Sequence, residues 1–408
     1  MRYRWMSKAL VLASVLFVGV TSSKAQQTNN YDFSGIPANP VPLPIGPDKA
    51  SSGGFYGAIE VAFMSQTRPL GNQVVAVYGF RDSIGAFSGT PGTFVGSGAI
   101  ALTTGQLGRS TYQPGYEITL GYKFESGFAI SLSYMDLVDA KYTAGASGPG
   151  NISNPGNLNQ NTYLYSGVYN FTNYYSGPKI RTFDDQFSQE FSPFPITGRL
   201  YGIWNGATYE TISFIQHFSN LDITGRAPVM ETDYSRTYAL MGFRYSQISE
   251  RFNWFTVATD VNGNSDGTDA ANYNNTLKQR MFGAFLGCGN EVYLGNNFAL
   301  SLDATAALML DFARASADYE REDRASGTQS KNKFDQYSVV PNVGLKPSFW
   351  WYPIKGVSVR ASYNALMYFN TYQMTDPIGW NFGDIEPGYT HKAFRMTQGI
   401  EIGVGISF

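Results

Sequence analysis

The residues best able to do chemistry are few. His217 and His391 are the chain's two histidines, and a Ser-His or Asp-His mechanism needs one of them beside a nucleophile. Asp384 and Glu386 lie close to His391 in sequence. Neither histidine is flanked by a G-x-S-x-G nucleophile turn, so no enzyme is expected, and His391 is the residue whose mutation would test that. Cys288, the single cysteine, sits in Leu286-Gly287-Cys288-Gly289. It leaves no thiol for an intramolecular disulfide, a zinc ribbon or iron–sulfur ligation, and it reads as a small hydrophobe. Asn262, Asn264, Asp266 and Asp269 spread oxygen ligands along a glycine-bearing stretch. The closing Glu of a calcium loop is missing, which favours a solvated turn. No metal and no cofactor are therefore expected.

The remaining charges are sparse: 15% of 408 residues, against 43% hydrophobic and 15% aromatic, where soluble domains average about 25% charged. Arg2, Arg4 and Lys8, the apolar run Ala9 to Val20 and the small-x-small Ser23-Lys24-Ala25 read as a secretory signal over residues 1–25. Its removal takes four basic residues and shifts the formal charge from 29 − 31 = −2 to 25 − 31 = −6. A mildly acidic mature chain without a basic run argues against nucleic acid as a partner. Residues 26–52, with Pro37, Pro40, Pro42, Pro44 and Pro47, read as an extended periplasmic segment.

From residue 53 onward apolar residues recur at every second position, as in strands with two unlike faces. Phe55, Ile59, Val61 and Phe63 form one such row, Tyr116, Ile118, Leu120 and Tyr122 another, and Phe298 to Phe312 the longest. Ten strands are predicted, near 54–64, 115–124, 127–138, 206–219, 234–248, 277–294, 298–312, 336–352, 356–369 and 395–408. Twelve is the alternative if Phe252 to Val261 or part of 65–114 adds strands. Pro341 and Pro347 predict a bulge or irregular path in 336–352. Tight turns at Glu125-Ser126-Gly127, Gly295-Asn296-Asn297 and Pro353 to Gly356 alternate with long polar connections at 65–114, 139–205, 260–276, 313–335 and 370–393; the stretch Leu221 to Asp233 is longer than the short turn due there.

Short turns on one side and long loops on the other predict a closed, antiparallel, up-and-down transmembrane β-barrel in the outer membrane, residues 53–408. A soluble sandwich also alternates, but aromatic residues cluster near the strand ends of the greasy face, as the girdles of a lipid-facing barrel do. Outer-membrane lipid is then a partner. The last strand carries Ile402, Val404, Ile406 and Phe408 on one face and looks like the signal read by the barrel assembly machinery. His217 falls toward the periplasmic end of its predicted strand.

If the greasy faces meet lipid, the wet faces put Glu60, Glu117, Lys123, Arg244, Asp303, Asp311, Lys346, Arg360 and Glu401 in the lumen. Two uses compete: an internal salt-bridge network, or a constriction passing small polar solutes. The aromatic stretch Tyr163 to Phe194 is expected over the mouth, as loop packing, a plug or a contact surface.

The segments Tyr238 to Tyr245 and Met281 to Gly287, with Phe298 to Phe312, resemble strands of the barrel porins grouped with the Legionella-type major outer-membrane protein and the planctomycete-type porins, over roughly residues 199–408. The resemblance implies a porin allowing passive passage of small polar solutes. The alternative is a structural or adhesive barrel with a filled lumen that acts through its extracellular loops.

Overall fold

The computed structural model describes residues 54–82, 88–148, 163–169, 203–232, 234–258, 270–295, 297–322, 329–354, 356–382, 385 and 391–407. The expected secretory signal, the Pro-rich segment, the oxygen-rich set Asn262 to Asp269, Asp384, Glu386, residues 170–194 of the aromatic stretch and Phe408 lie outside them.

Among the described residues sixteen strands occur in chain order: β1 Gly54–Gln66, β2 Val74–Tyr78, β3 Phe80–Asp82, β4 Thr93–Val95, β5 Ile100–Thr103, β6 Tyr112–Lys123, β7 Ala129–Leu137, β8 Ala140–Ser147, β9 Leu164–Tyr165, β10 Tyr209–Glu231, β11 Ser235–Val257, β12 Ala270–Gly295, β13 Phe298–Arg321, β14 Gln329–Ile354, β15 Val357–Tyr372 and β16 Lys392–Ser407. Eleven of them form one ring. The lower half of β10 pairs with β7 and its upper half with β8, so β7 and β8 act as a single stave interrupted at Val138 and Asp139. The barrel therefore has ten staves, all antiparallel. It closes where β1 meets β16, from Tyr56↔Ser407 to Gln66↔Thr397. Closure pairs the backbone groups that would otherwise face hydrocarbon at an edge.

The outward face carries an apolar belt bounded by rings. Near the tight turns lie Phe55 against Tyr122 (4.9 Å between centroids) and Phe298 against Phe349 (5.4 Å). At the other boundary Phe282 stacks on Phe312 (5.3 Å), Phe312 meets Tyr337 edge-on (5.1 Å), and Tyr116 meets Tyr134 (6.3 Å). Between these rings Ile59, Leu120, Leu132, Phe243, Leu286, Leu308 and Ile402 are all exposed, as residues bathed in lipid must be. At the hairpin turns Gly127, Gly295 and Gly356 take positive φ values of 82°, 87° and 81°, a conformation that only glycine adopts without strain.

Several strands run well past the belt. β12 has 26 residues and β13 has 24, where about 9–11 tilted residues cross the hydrocarbon layer. Beyond Phe312 the alternation inverts: Ala313, Ala315, Ala317 and Tyr319 point inward and are buried, while Arg314, Ser316 and Asp318 point outward. The arms are built like a soluble barrel, with oil inside and water outside. Much of the expected loops 260–276 and 313–335 is therefore strand, in β12, β13 and β14. Leu221 to Glu231 is also strand, so β10 meets β11 through a short turn after all.

The twelve-strand alternative fails. Phe252 to Val257 is the upper part of β11, and β2 to β5 form small sheets, one of three strands with β9 and one of two, that do not join the ring. The irregularity expected at the prolines is confined to one side of β14. Its ladder to β13 is unbroken from Phe298↔Trp351 to Glu320↔Gln329, while the ladder to β15 lapses at residues 346 and 347. A strand residue directs its N–H toward one neighbour only, so the missing donor interrupts a single ladder.

Candidate functional site

The inner face is filled in layers. Nearest the tight turns, Arg226 ion-pairs with Asp303 at 2.8 Å and lies over the Tyr238 ring, 5.3 Å from its centroid. Buried Glu291 accepts hydrogen bonds from the hydroxyls of Tyr293 (3.2 Å) and Tyr352 (3.3 Å). Lys123 is buried at the foot of β6.

The next layer is a charge cluster. Glu60, Glu117 and Glu401 bring carboxylate oxygens within 4.8 Å of one another, a spacing that invites a cation. Lys346 already supplies one: its Nζ lies 2.6 Å from Glu401, 3.1 Å from Glu117 and 3.6 Å from Glu60. Arg360 forks onto Glu60 through two N–H donors. Beside them Arg244 donates to Asp222 at 2.7 Å and to Asn342 at 2.7 Å. A space of about 120 Å³ remains, lined by Glu117, Asp222, Arg244, Lys346 and Arg360 among others.

Above this the bore turns apolar. Met64, Met135, Leu137, Phe218, Ile248, Met281, Met309, Val340, Leu366 and Tyr368 form one buried cluster. They come from eight of the ten staves, so the layer crosses the whole lumen. Another buried ion pair, Arg395 with Glu250, sits over it, and Gln216 donates a further bond to Glu250 at 3.0 Å. Asp311 is buried nearby, and neither of its carboxylate oxygens has a hydrogen-bond partner among the described residues.

The arms then enclose an aromatic core. Trp254, Tyr273, Tyr319 and Phe214 from the wall pack with Val75, Leu102, Leu164, Trp204 and Phe382 from the inserted connections. Trp204 and Trp254 lie 4.3 Å apart, and Tyr273 stacks on Phe382 at 5.8 Å. Polar pins fix the insertions: Gln73 donates to the Ile378 carbonyl and accepts from its N–H (2.9 and 3.1 Å), and Asn275 donates to the Pro377 carbonyl (2.7 Å). Glu210 is buried in this core, far up the arms at the level of Arg321, where it accepts from Trp254 Nε1 (2.8 Å) and Ser166 Oγ (3.0 Å). Desolvation outweighs these donors and pushes its carboxyl up to about 8.

The structure thus brings together Glu60, Glu117, Lys346, Arg360 and Glu401, and places Arg244 beside them. Asp303 is the cross-strand partner of Lys346 and lines the same space, where it pairs with Arg226, while Asp311 and Lys123 lie apart. Asp222, Arg226, Glu250 and Arg395 are partners that the sequence reading missed. Asp222 and Arg226 lie in the stretch expected as a connection, Glu250 lies two residues past the predicted end of 234–248, and Arg395 is the first residue of the predicted strand 395–408, three residues inside β16.

His217 is not near the periplasmic end. With β10 running on to Glu231, it sits on the outward face just beyond the upper girdle, between Asp139 (2.9 Å) and Asp136 (3.3 Å). Both ring nitrogens face carboxylates rather than a hydroxyl. His391 is exposed at the approach to β16, where its carbonyl accepts from the Gln373 N–H. Cys288 points outward within the lipid belt, opposite Ala239 and Ala304. Ile402, Val404 and Ile406 form an exposed outward row on β16.

A closed ring with an oily outside, two aromatic girdles and a polar inside has one natural solvent on its outer face. The chain is a transmembrane β-barrel of the outer-membrane type.

No family model matches the chain, and no curated protein matches it either. Among solved structures it is similar to the outer membrane protease OmpT from Escherichia coli, at 9% identity and TM-score 0.44, covering 87% of this chain and 97% of that one. It is also similar to a Pseudomonas aeruginosa FadL homologue (8%, TM-score 0.22, 88% and 90% covered) and to Ail, the attachment invasion locus protein of Yersinia pestis (7%, TM-score 0.21, 87% and 99%).

Proposed function

We propose that this protein is a sealed outer-membrane barrel, structural or adhesive, that works through its extracellular arms and loops rather than by conducting solute. The observation that carries the reading is the apolar layer of Met, Leu, Ile and Phe side chains drawn from eight staves. A polar solute crossing it would shed its hydration without gaining partners, at a cost of several kcal/mol. The aromatic core of the arms places a second apolar barrier in series.

Passive passage of small polar solutes, which the resemblance to the Legionella-type and planctomycete-type porins implies, needs a continuous wet path. The polar space between the layers offers about 120 Å³, room for a few water molecules. The charged residues around it support the salt-bridge use of the lumen, and the outward row on β16 supports that strand's role in presenting the chain to the assembly machinery. Planar-bilayer recording on refolded protein, with folding checked by heat-dependent gel mobility, tests the reading. Silence from folded protein is expected; reproducible channel steps from it would overturn the proposal in favour of the porin.

A further inference from the structure

We propose that the outward face of β11 and β12, just beyond the upper girdle, binds the phosphate groups of an outer-leaflet glycolipid. This inference is independent of whether the bore conducts. Arg251, Lys278 and Arg280 are all exposed there. Arg280 stands opposite Phe312 and two residues from Phe282, so it begins where the girdle ends. Lys278 follows on the same face, opposite Ser249 and Arg314, and Arg251 lies diagonally across from it, opposite Thr276. Diagonal neighbours on one sheet face are about 7–8 Å apart, close enough for two of them to share one phosphate or for three to grip a pair.

The vertical placement suits a headgroup. The polar layer on each side of a bilayer is roughly 5–8 Å thick, which two or three residues of a tilted strand traverse. Arg280, two residues past Phe282, falls within that layer, Lys278, two residues further, stands at its outer edge, and Arg251, level with Thr276, stands just outside it.

The electrostatics call for an anion. Arg314 is matched by Asp335 at 2.7 Å. Among the described residues, none of Arg251, Lys278 and Arg280 has an ion-pair or hydrogen-bond partner, and the outward positions of β10, β11 and β12 beyond the girdle carry no carboxylate. Lys278 directly faces Arg314, a like-charge arrangement that destabilises a sheet unless a counter-charge bridges it. Gln247, Ser249, Asn253 and Thr276 share this face and offer neutral groups for sugar hydroxyls. Among the described residues of the same two strands, the opposite boundary offers no cation: the outward positions there are Ser235, Thr237, Asn290 and Val292. The site therefore selects one leaflet, and with cations plus amide and hydroxyl groups it selects a phosphorylated saccharide carried on acyl chains.

The experiment measures thermal unfolding of the refolded full chain in detergent, with four additives compared: a diphosphorylated lipid A-type glycolipid, the same glycolipid dephosphorylated, phosphatidylglycerol and inorganic phosphate. The expected result is a concentration-dependent rise in Tm with the phosphorylated glycolipid only. The triple variant Arg251→Ala, Lys278→Ala, Arg280→Ala should fold with the parent's Tm in detergent alone and bind the glycolipid on the order of a hundredfold more weakly. Lys278→Arg should retain binding. Equal stabilisation by the dephosphorylated lipid, by phosphatidylglycerol or by free phosphate would overturn the proposal, as would an undiminished shift in the triple variant. Should the triple variant fail to fold, Arg280→Gln alone is measured: unchanged glycolipid affinity counts against the site and a clear loss counts for it.

Discussion

At the scale of single residues, charge is held inside this barrel by local neutralisation. Lys346 lies within ion-pair distance of three carboxylates and Arg360 pairs with one of them, and that is why a trio of glutamates can exist while buried. Glu210 shows the other solution. It has two neutral donors and no cation, and burial pushes it up to about 8 from its ordinary 4.5. A carboxyl whose pKa rises on folding holds its proton more tightly in the folded state. Its stabilising contribution is full below about 4.5 and is lost as pH climbs through about 8. The core of the arms should therefore loosen between about pH 5 and pH 9, read as faster proteolysis within residues 163–169, the segment that carries Ser166. Glu210→Gln keeps a neutral acceptor for Trp254 and should flatten the profile. Equal pH dependence in parent and variant would remove Glu210 from the explanation.

At the scale of elements, the belt was legible and the arms were not, for one physical reason. Alternation in lipid marks the outward residues as apolar, and a reader who follows Phe298 to Phe312 stops where that row stops. The strand continues with its apolar phase shifted by one, through Ala313, Ala315, Ala317 and Tyr319, because the outer solvent has changed from lipid to water. The same inversion carries β11 from outward Met241 and Phe243 to inward Ile248, Phe252 and Trp254. Candidate lumen residues inside the belt could be picked by alternation alone; Glu250 and Arg395 could not, since they lie where the rule reverses. The irregularity expected from Pro341 and Pro347 reaches only the β15 side, as a proline costs one ladder and not two. Because the arms depend on an internal core and the belt on lipid, the two should fail separately. Trp254→Ala removes a fully buried indole that packs against Trp204, Tyr273 and Trp380, a loss of about 3–5 kcal/mol. Limited proteolysis should then cut the arms more than tenfold faster while the belt keeps its heat-modifiable gel mobility. Loss of that mobility would show that the arms and belt fold as one unit.

For the whole molecule, the barriers stand in series along one axis: the tyrosine and Arg226–Asp303 layer, the charge cluster, the apolar layer and the aromatic core of the arms. Resistances in series are set by the largest, and the largest here are the two apolar barriers, because a hydrated ion gains nothing in crossing them. Arg244→Ala and Asp303→Ala break ion pairs in the lower half without opening either apolar barrier, so both variants should remain silent in planar bilayers while losing thermal stability. Thinning one apolar barrier, by Phe218→Ala with Tyr368→Ala, leaves the aromatic core intact and should also give silence. Adding Trp204→Ala and Phe382→Ala to that pair removes side chains from both barriers at once and should be the first combination to yield channel steps. If Arg244→Ala alone conducts, the seal lies in the charge cluster, the apolar layer must part readily, and the bore belongs to a gated channel rather than to a closed scaffold.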